Sequence, residues 1–145
     1  MNLVERAIGI ALSVHTGQRD KGGRPYILHP LRVMTRMDKL EEMAVAVLHD
    51  VVEDGQDKGW TLERLKQEGF GSRVVAAVDR LTRREGEDYF TFTRRAGGSS
   101  LSRKVKTADL ADNMDIARIP NPKKQDLERV RRYRKAMRIL REMDE

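Results

Sequence analysis

Apolar residues recur at three- and four-residue spacing along most of the chain, which is the period of an amphipathic α-helix. The first such stretch follows Asn2, a favourable N-cap residue, and Glu5 lies three positions later, as in a capping box. This pattern predicts a first helix that ends near His15. No segment alternates convincingly between apolar and polar residues, so we predict an all-α fold.

Prolines, glycines and capping residues divide the rest of the chain into further helices. A glycine-rich loop over 16–28 precedes Pro30, which suits the first position of a helix to about Met37. The segment from Glu41 to Val52 is apolar on almost every face, which is typical of a buried helix. The remaining signals are N-caps at Thr61 and Ser72, a short helix over 89–95, a break over 97–100, a helix from Leu101 to Ala117 and a terminal helix after Pro120 and Pro122.

Length and composition predict one domain over residues 1–145, located in the cytoplasm. The chain has 145 residues and no cysteine, which excludes a disulfide framework, a thiolate zinc site and a cysteine nucleophile. The longest apolar run, Met43 to Leu48, is far too short for a membrane span. We therefore expect no membrane partner, while the sequence leaves the formation of homo-oligomers open.

The formal net charge of +6 lies almost entirely in the terminal helix. Nine basic and two acidic residues stand between Lys123 and Arg141, so the rest of the chain is close to neutral. Such a helix could bind RNA or an acidic partner, attract phosphate-rich molecules, or form a solvated face. A solvated face is the commonest role of a charge run, and we do not expect a nucleic-acid partner.

An imidazole and several carboxylates stand at the far end of the buried helix. His49 and Asp50 stand at its end, and Glu53 and Asp54 come four residues after them, so each pair shares a face if the helix continues. A buried charge is costly unless it is paired or binds a metal ion. On this segment alone, polar residues solvating a helix end would explain the cluster equally well.

Two other segments favour a metal site. Asp109 and Asn113 lie four apart on one helix face, and His29 stands at a rigid junction before Pro30. Two imidazoles and two carboxylates from three segments form a mixed set of nitrogen and oxygen donors. Such a set suits Mn²⁺, Fe²⁺ or Mg²⁺ better than tetrahedral zinc.

Four motifs together resemble a known family. They are H-T-G-Q over 15–18, P-Y-I-L-H-P over 25–30, L-H-D-V-V-E-D over 48–54 and V-K-T-A-D-L-A-D-N over 105–113. Their order and spacing resemble the hydrolase domain of the bifunctional alarmone synthetase/hydrolases and the small alarmone hydrolases. The resemblance implies an HD-domain helical bundle, one Mn²⁺ ion and removal of the 3′-pyrophosphate from guanosine tetra- or pentaphosphate (ppGpp or pppGpp).

The resemblance also implies roles for individual residues. The metal ligands would be His29, His49, Asp50 and Asp109; Glu53 and Asp54 would polarise the attacking water; Asn113 would contact the nucleotide. Because the ligands are committed to the ion, we expect Glu53 to be the general base. By charge and by proximity to the motifs, we further predict phosphate contacts from Arg19, Lys21 and Lys106. Tyr89 would lie against the base or ribose, or pack in the core, and His15 would be structural and not a ligand.

The chain departs from the family pattern at two positions. Asp20 stands where the family often has an arginine, and Asp112 stands where many members have an aromatic residue or histidine before the Asn. Two alternatives therefore remain beside the alarmone hydrolase. The chain could be an HD hydrolase of another phosphorylated nucleotide, or a non-catalytic nucleotide- or RNA-binding module.

Overall fold

The chain folds as a succession of helices joined by short loops. The computed structural model describes residues 1–144, and in this part of the chain the α-helices are α1 Leu3–His15, α2 Leu28–Thr35, α3 Leu40–Leu48, α4 Val51–Asp54, α5 Leu62–Gln67, α6 Ser72–Leu81, α7 Tyr89–Ala96, α8 Ser100–Asn113 and α9 Lys124–Asp144. Single 3₁₀ turns occupy Gln56–Lys58 and Ile116–Arg118. Residues 1–144 contain no β-strand, only one isolated bridge between Arg19 and Pro25. The all-α prediction is confirmed.

Helix α3 is the centre of the fold. Its residues 44–48 are completely buried, and it packs against α1, α2, α6 and α8. A helix that is apolar on every face gains stability only when neighbours cover all of those faces. The prediction of a central buried helix is therefore confirmed.

Local signals at the helix starts are confirmed in most cases. The side chain of Asn2 accepts a hydrogen bond from the N–H of Glu5, and the capping box is complete. Thr61 caps α5 in the same way. The N-cap assignment of Ser72 is wrong, because Gly71 has the extended backbone of the cap and Ser72 is already the first helical residue.

Three helix boundaries differ from the prediction. Helix α2 starts at Leu28, so Pro30 is its third residue, still within the first turn, where N–H groups have no helical partner. The predicted helix from Glu41 to Val52 is interrupted at residues 49–50. Helix α8 ends at Asn113, because the Asp115 side chain accepts from the N–H of Ala117 and starts a separate turn.

The basic helix α9 is anchored to the rest of the molecule on one side. Its buried residues Ala136, Met137 and Leu140 form a small apolar cluster with Leu110 of α8. The opposite side carries the excess of arginine and lysine side chains, and most of these are exposed. None of the helices over residues 1–144 has the length and apolar character that a membrane crossing requires.

Candidate active site

The four predicted metal ligands come together in one buried cluster. His29 is in the first turn of α2, His49 and Asp50 lie at the break between α3 and α4, and Asp109 is on α8. His29 Nε2 is 2.9 Å from Asp109 Oδ1 and 4.0 Å from Asp50 Oδ2. His49 Nε2 is 3.1 Å from Asp50 Oδ2 and 3.4 Å from Asp109 Oδ1. Ligand atoms from three separate segments thus face one another.

The break between α3 and α4 explains how two adjacent residues reach the same cluster. In a continuous helix, successive side chains point about 100° apart. At Asp50 the backbone leaves the helical region, with φ −105° and ψ 1°. Both His49 and Asp50 therefore face the cluster, and α4 resumes directly behind them.

The hydrogen bonds of His49 suit a metal ligand. Its Nδ1–H donates to the main-chain oxygen of Ala46 at 2.6 Å, which assigns the proton to Nδ1. The Nε2 atom is buried and has no hydrogen-bond partner within residues 1–144. Ligand atoms of His29, His49 and Asp50 lie within 4.8 Å of one another. The donor set and the unpartnered Nε2 fit a divalent metal ion.

Both carboxylates of the cluster are held in the ionised form. Burial opposes ionisation of Asp109, but Lys106 and His49 outweigh it and keep the pKa of Asp109 well below its ordinary value. Lys106 Nζ donates to Asp109 Oδ2 at 3.0 Å. The pKa of Asp50 is likewise lowered despite burial, chiefly by His49. Ionised oxygens are the form in which carboxylates bind cations.

Two residues of the site were missed by the sequence interpretation. The hydroxyl of Tyr26 donates to Asp50 Oδ2, and burial together with Asp50 raises the pKa of Tyr26, so the phenol keeps its proton. Asp112 Oδ2 is 2.7 Å from His29 Nδ1. Tyr26 stands in the P-Y-I-L-H-P motif, and Asp112 lies three residues after Asp109 on the same helix face, which are the signals that could have identified them.

The two predicted catalytic carboxylates lie next to the cluster on α4. Glu53 Oε1 accepts from the N–H of Arg83 at 3.0 Å, and Asp54 Oδ2 accepts from Gln18 Nε2 at 3.2 Å. Shielding from water and the charge of Asp50 raise the pKa of Glu53 and of Asp54. Raised pKa values make these carboxylates better proton acceptors. His15 is buried, and its ring contacts the side-chain amide of Gln18. Because Gln18 donates to Asp54, this amide links His15 to the Asp54 carboxylate.

A cleft of about 360 Å³ opens beside the cluster. Tyr26 and His29 form the part of its wall that adjoins the metal cluster. Of the predicted substrate-binding residues, it is lined by Arg19, Lys21 and Asn113. The cleft therefore extends from the ligand cluster to the exposed cationic side chains of Arg19 and Lys21.

The other two predicted substrate-binding residues lie outside this cleft. Lys106 is buried against Asp109, with its Nζ 4.7 Å from the ring centroid of Phe92. Tyr89 packs between the two apolar clusters, with its ring centroid 5.5 Å from that of Phe90 and 6.3 Å from that of Tyr133. Its position agrees with the core-packing alternative.

Comparison with protein families supports the same fold. The family model described as HD domain matches residues 7–140. A solved structure of a metazoan ortholog of SpoT that hydrolyzes ppGpp superposes with a TM-score of 0.78 and 23% identity, covering 97% of this chain and 86% of the other. At that identity the likeness concerns the fold, and it supports the helical bundle.

The chain spans only a small part of the curated relatives described next. The chain is 31% identical to a probable GTP pyrophosphokinase of Mycobacterium leprae, over 97% of its own length and 18% of the relative. It is 38% identical to a guanosine-3′,5′-bis(diphosphate) 3′-pyrophosphohydrolase of Aquifex aeolicus, over 55% of its length and 12% of the relative. An enzyme of the same name from Haemophilus influenzae is 42% identical over 48% of the chain and 10% of the relative. The chain spans less than a fifth of each of these proteins.

Proposed function

The chain belongs to the HD domain family, and from this premise we propose that it is a metal-dependent phosphohydrolase that removes the 3′-pyrophosphate from guanosine tetra- or pentaphosphate. The observation that carries the proposal is the convergence of His29, His49, Asp50 and Asp109 from three segments. Relatives named for 3′-pyrophosphohydrolase activity support this substrate. We expect the enzyme to act in the cytoplasm as one catalytic domain.

We assign these four side chains as the metal ligands, with Mn²⁺ as the ion. Two imidazole nitrogens and two carboxylate oxygens suit Mn²⁺ and leave positions for water and substrate. A bound divalent ion would lower the pKa of its water and neutralise phosphate charge. Hydrogen bonds within the chain orient two of these ligands. The main-chain oxygen of Ala46 fixes the tautomer of His49, and the hydroxyl of Tyr26 donates to Asp50.

Glu53 is our candidate for the general base. It lies four residues after His49, and its carboxylate is held by the N–H of Arg83. Its raised pKa favours uptake of the proton that leaves the attacking water. Asp54, anchored by Gln18, would help to orient that water. Neither residue contributes to the ligand cluster, so both are free for proton transfer.

The cleft supplies the contacts that a phosphorylated nucleotide needs. The cations of Arg19 and Lys21 are exposed at its wall and would attract the phosphates. Asn113 donates to Asp109 Oδ1 at 3.1 Å and also lines the cleft, so it can contact both the cluster and the nucleotide. Lys106 lies outside the cleft, beside Asp109, and would contact a phosphate from there. The ring of Tyr89 lies near the ammonium group of Lys106 and would help to hold that side chain in position.

A second candidate is an HD hydrolase that acts on a different phosphorylated nucleotide. Asp20, one of the two positions at which the sequence departs from the resemblance described above, lines the cleft. Its Oδ1 accepts from the N–H groups of Gly22 and Arg24, so the side chain also shapes the loop. A carboxylate at this wall changes the hydrogen bonds offered to the base, which favours testing more than one nucleotide.

The test is release of pyrophosphate from ppGpp by the purified chain, with and without Mn²⁺. We expect release only with Mn²⁺ and none with the Asp50→Ala variant. Parallel reactions with other nucleoside phosphates, guanosine and adenosine series alike, identify the preferred substrate. A folded, metal-loaded protein that releases no pyrophosphate from ppGpp but hydrolyses another nucleotide would favour the second candidate. No turnover of any nucleotide would contradict both.

A further inference from the structure

The carboxylate of Asp112 links a proposed metal ligand to two arginines of the cleft. Its Oδ2 atom is 2.7 Å from Nδ1 of His29, and both side chains are almost fully buried, with 2% and 4% of their surface exposed. The other ring nitrogen of His29, Nε2, faces Asp109 at 2.9 Å. Each nitrogen of His29 thus faces one carboxylate of α8.

The two arginines hold the Asp112 carboxylate in place. Arg32 donates from Nε to Oδ1 at 2.8 Å and from Nη2 to Oδ2 at 3.0 Å. Arg118 Nη2 donates to the main-chain oxygen of Asp112 at 2.7 Å and lies 3.4 Å from its Oδ2. The bidentate pairing with Arg32 fixes the position of the Asp112 carboxylate and favours its charged form. The pKa of Asp112 is accordingly lowered despite burial, by His29 and Arg32.

We propose that Asp112 is a positioning residue for the metal site, which rests on the proposed function above. Its carboxylate accepts the Nδ1–H of His29, fixes that tautomer, directs the Nε2 lone pair into the cluster and raises its basicity. Carboxylates behind ligating histidines generally have this effect on metal ions. Arg32 and Arg118 serve the site by holding the Asp112 carboxylate in this orientation.

The spacing along α8 explains why one helix provides both contacts. Asp109 and Asp112 are three residues apart and therefore share a face. His29 lies between them in the first turn of α2, where Pro30 restricts the backbone. A phenyl ring at position 112 could not accept the Nδ1–H, and a neutral histidine there would offer a nitrogen without the negative charge of the Asp112 carboxylate.

The first experiment measures Mn²⁺ binding by calorimetry with the chelator-treated full chain. Asp112→Asn keeps the size of the side chain and removes its charge, and we expect Mn²⁺ to bind about 10- to 100-fold more weakly. Asp115→Asn is the matched control, because Asp115 pairs with the same Arg118 at 2.9 Å but does not contact His29. This control is expected to bind Mn²⁺ like the wild type.

The outcomes separate this proposal from the proposed function. A wild-type chain that binds no Mn²⁺ would contradict the metal site itself. A wild-type chain that binds Mn²⁺, together with a folded Asp112→Asn variant of equal affinity, would overturn only the role of Asp112. A merely structural role would lower the melting temperature of the metal-free variant while leaving the Mn²⁺ affinity of the folded protein unchanged.

A second measurement needs no variant. In the wild-type chain loaded with diamagnetic Zn²⁺, nitrogen NMR of the His29 ring is expected to show a protonated, hydrogen-bonded Nδ1 and a metal-bound Nε2. The opposite tautomer, with the proton on Nε2, would overturn the proposal even if Asp112→Asn fails to fold.

Discussion

The imidazole of His49 is fixed by a main-chain oxygen of its own helix, because its Nδ1–H donates to Ala46 at 2.6 Å. Ala46 is completely buried within α3, so this acceptor is part of the rigid centre of the fold. The Nε2 atom then faces Asp50 and Asp109 without a hydrogen-bond partner among residues 1–144. Removing this nitrogen or the neighbouring carboxylate should therefore remove the metal.

We expect His49→Ala and Asp50→Ala each to abolish stoichiometric metal binding. Each variant removes one of the four proposed donors, and Asp50→Ala also removes a negative charge that balances the cation. Elemental analysis of the purified, Mn²⁺-exposed proteins measures the bound metal, with Asp57→Ala, an exposed carboxylate of the following turn, as the control. Retention of one ion per chain by either variant would exclude that residue from the ligand set.

The Glu53→Gln variant should separate proton transfer from metal binding. The amide keeps a similar shape and the hydrogen bond from Arg83, but it cannot accept the proton of the attacking water. We expect normal metal content and a kcat lowered by a factor of about 10² to 10⁴. Glu63→Gln, an exposed change on α5, is the control, and unchanged turnover in Glu53→Gln would end its candidacy as the base.

The ion pair between Glu87 and Arg95 should contribute to stability. Arg95 donates to both carboxylate oxygens, at 2.8 and 2.9 Å, and also to the main-chain oxygens of Asp79 and Thr82. Loss of the charged partner in Glu87→Gln should lower the free energy of unfolding by about 1–3 kcal/mol at neutral pH. Denaturant unfolding measures this change, and the exposed Glu85→Gln, two residues away, should leave it unaltered.

The same pair predicts a dependence of stability on pH. Arg95 lowers the pKa of Glu87 to about 2, from an ordinary value of 4.5. A lowered folded-state pKa means that the contribution is complete above about pH 4.5 and declines as the pH falls toward 2. Wild type and Glu87→Gln should therefore converge in stability over this interval. A constant difference down to pH 2 would contradict the assignment.

Gly22 marks a close approach between the loop over 16–28 and the segment after α8. A Cβ atom at this position would lie 2.4 Å from the main-chain oxygen of Arg118. We expect Gly22→Ala to displace the cleft wall, raise KM and cost about 1–3 kcal/mol of stability.

Gly9→Ala is the matched control for this change. It lies in the middle of α1, and a Cβ there meets nothing within 4 Å. Alanine should stabilise the helix by about 0.5–1 kcal/mol, because glycine loses more backbone entropy on folding. A fully stable Gly22→Ala with unchanged KM would show that the loop can move away without cost.

Much of the local structure could be predicted from the sequence because the responsible interactions act within a few residues. The capping box of Asn2 and Glu5 and the cap at Thr61 are confirmed for this reason. The central position of α3 also followed from composition alone, since an apolar helix must be covered on all faces. The four-motif resemblance predicted the HD fold, which the family match confirms.

The chain by itself thus determined which segments are helical, which helix lies at the centre and which residues offer metal-binding atoms. Only the tertiary structure decided how those atoms meet. The interruption at residues 49–50 lets two adjacent side chains face the same ligand cluster. The carboxylate of Asp112 accepts a hydrogen bond from His29, which lies 83 positions earlier in the sequence. The spacing of Asp112 after Asp109 indicates only that the two share a helix face. The distances within the site could not be predicted, because hydrogen bonds between distant segments depend on how the helices pack. The sequence predicted a phosphate contact from Lys106 and left Tyr89 between a nucleotide contact and core packing. The structure places Lys106 beside Asp109 and Tyr89 among aromatic rings, positions that no local sequence pattern indicates.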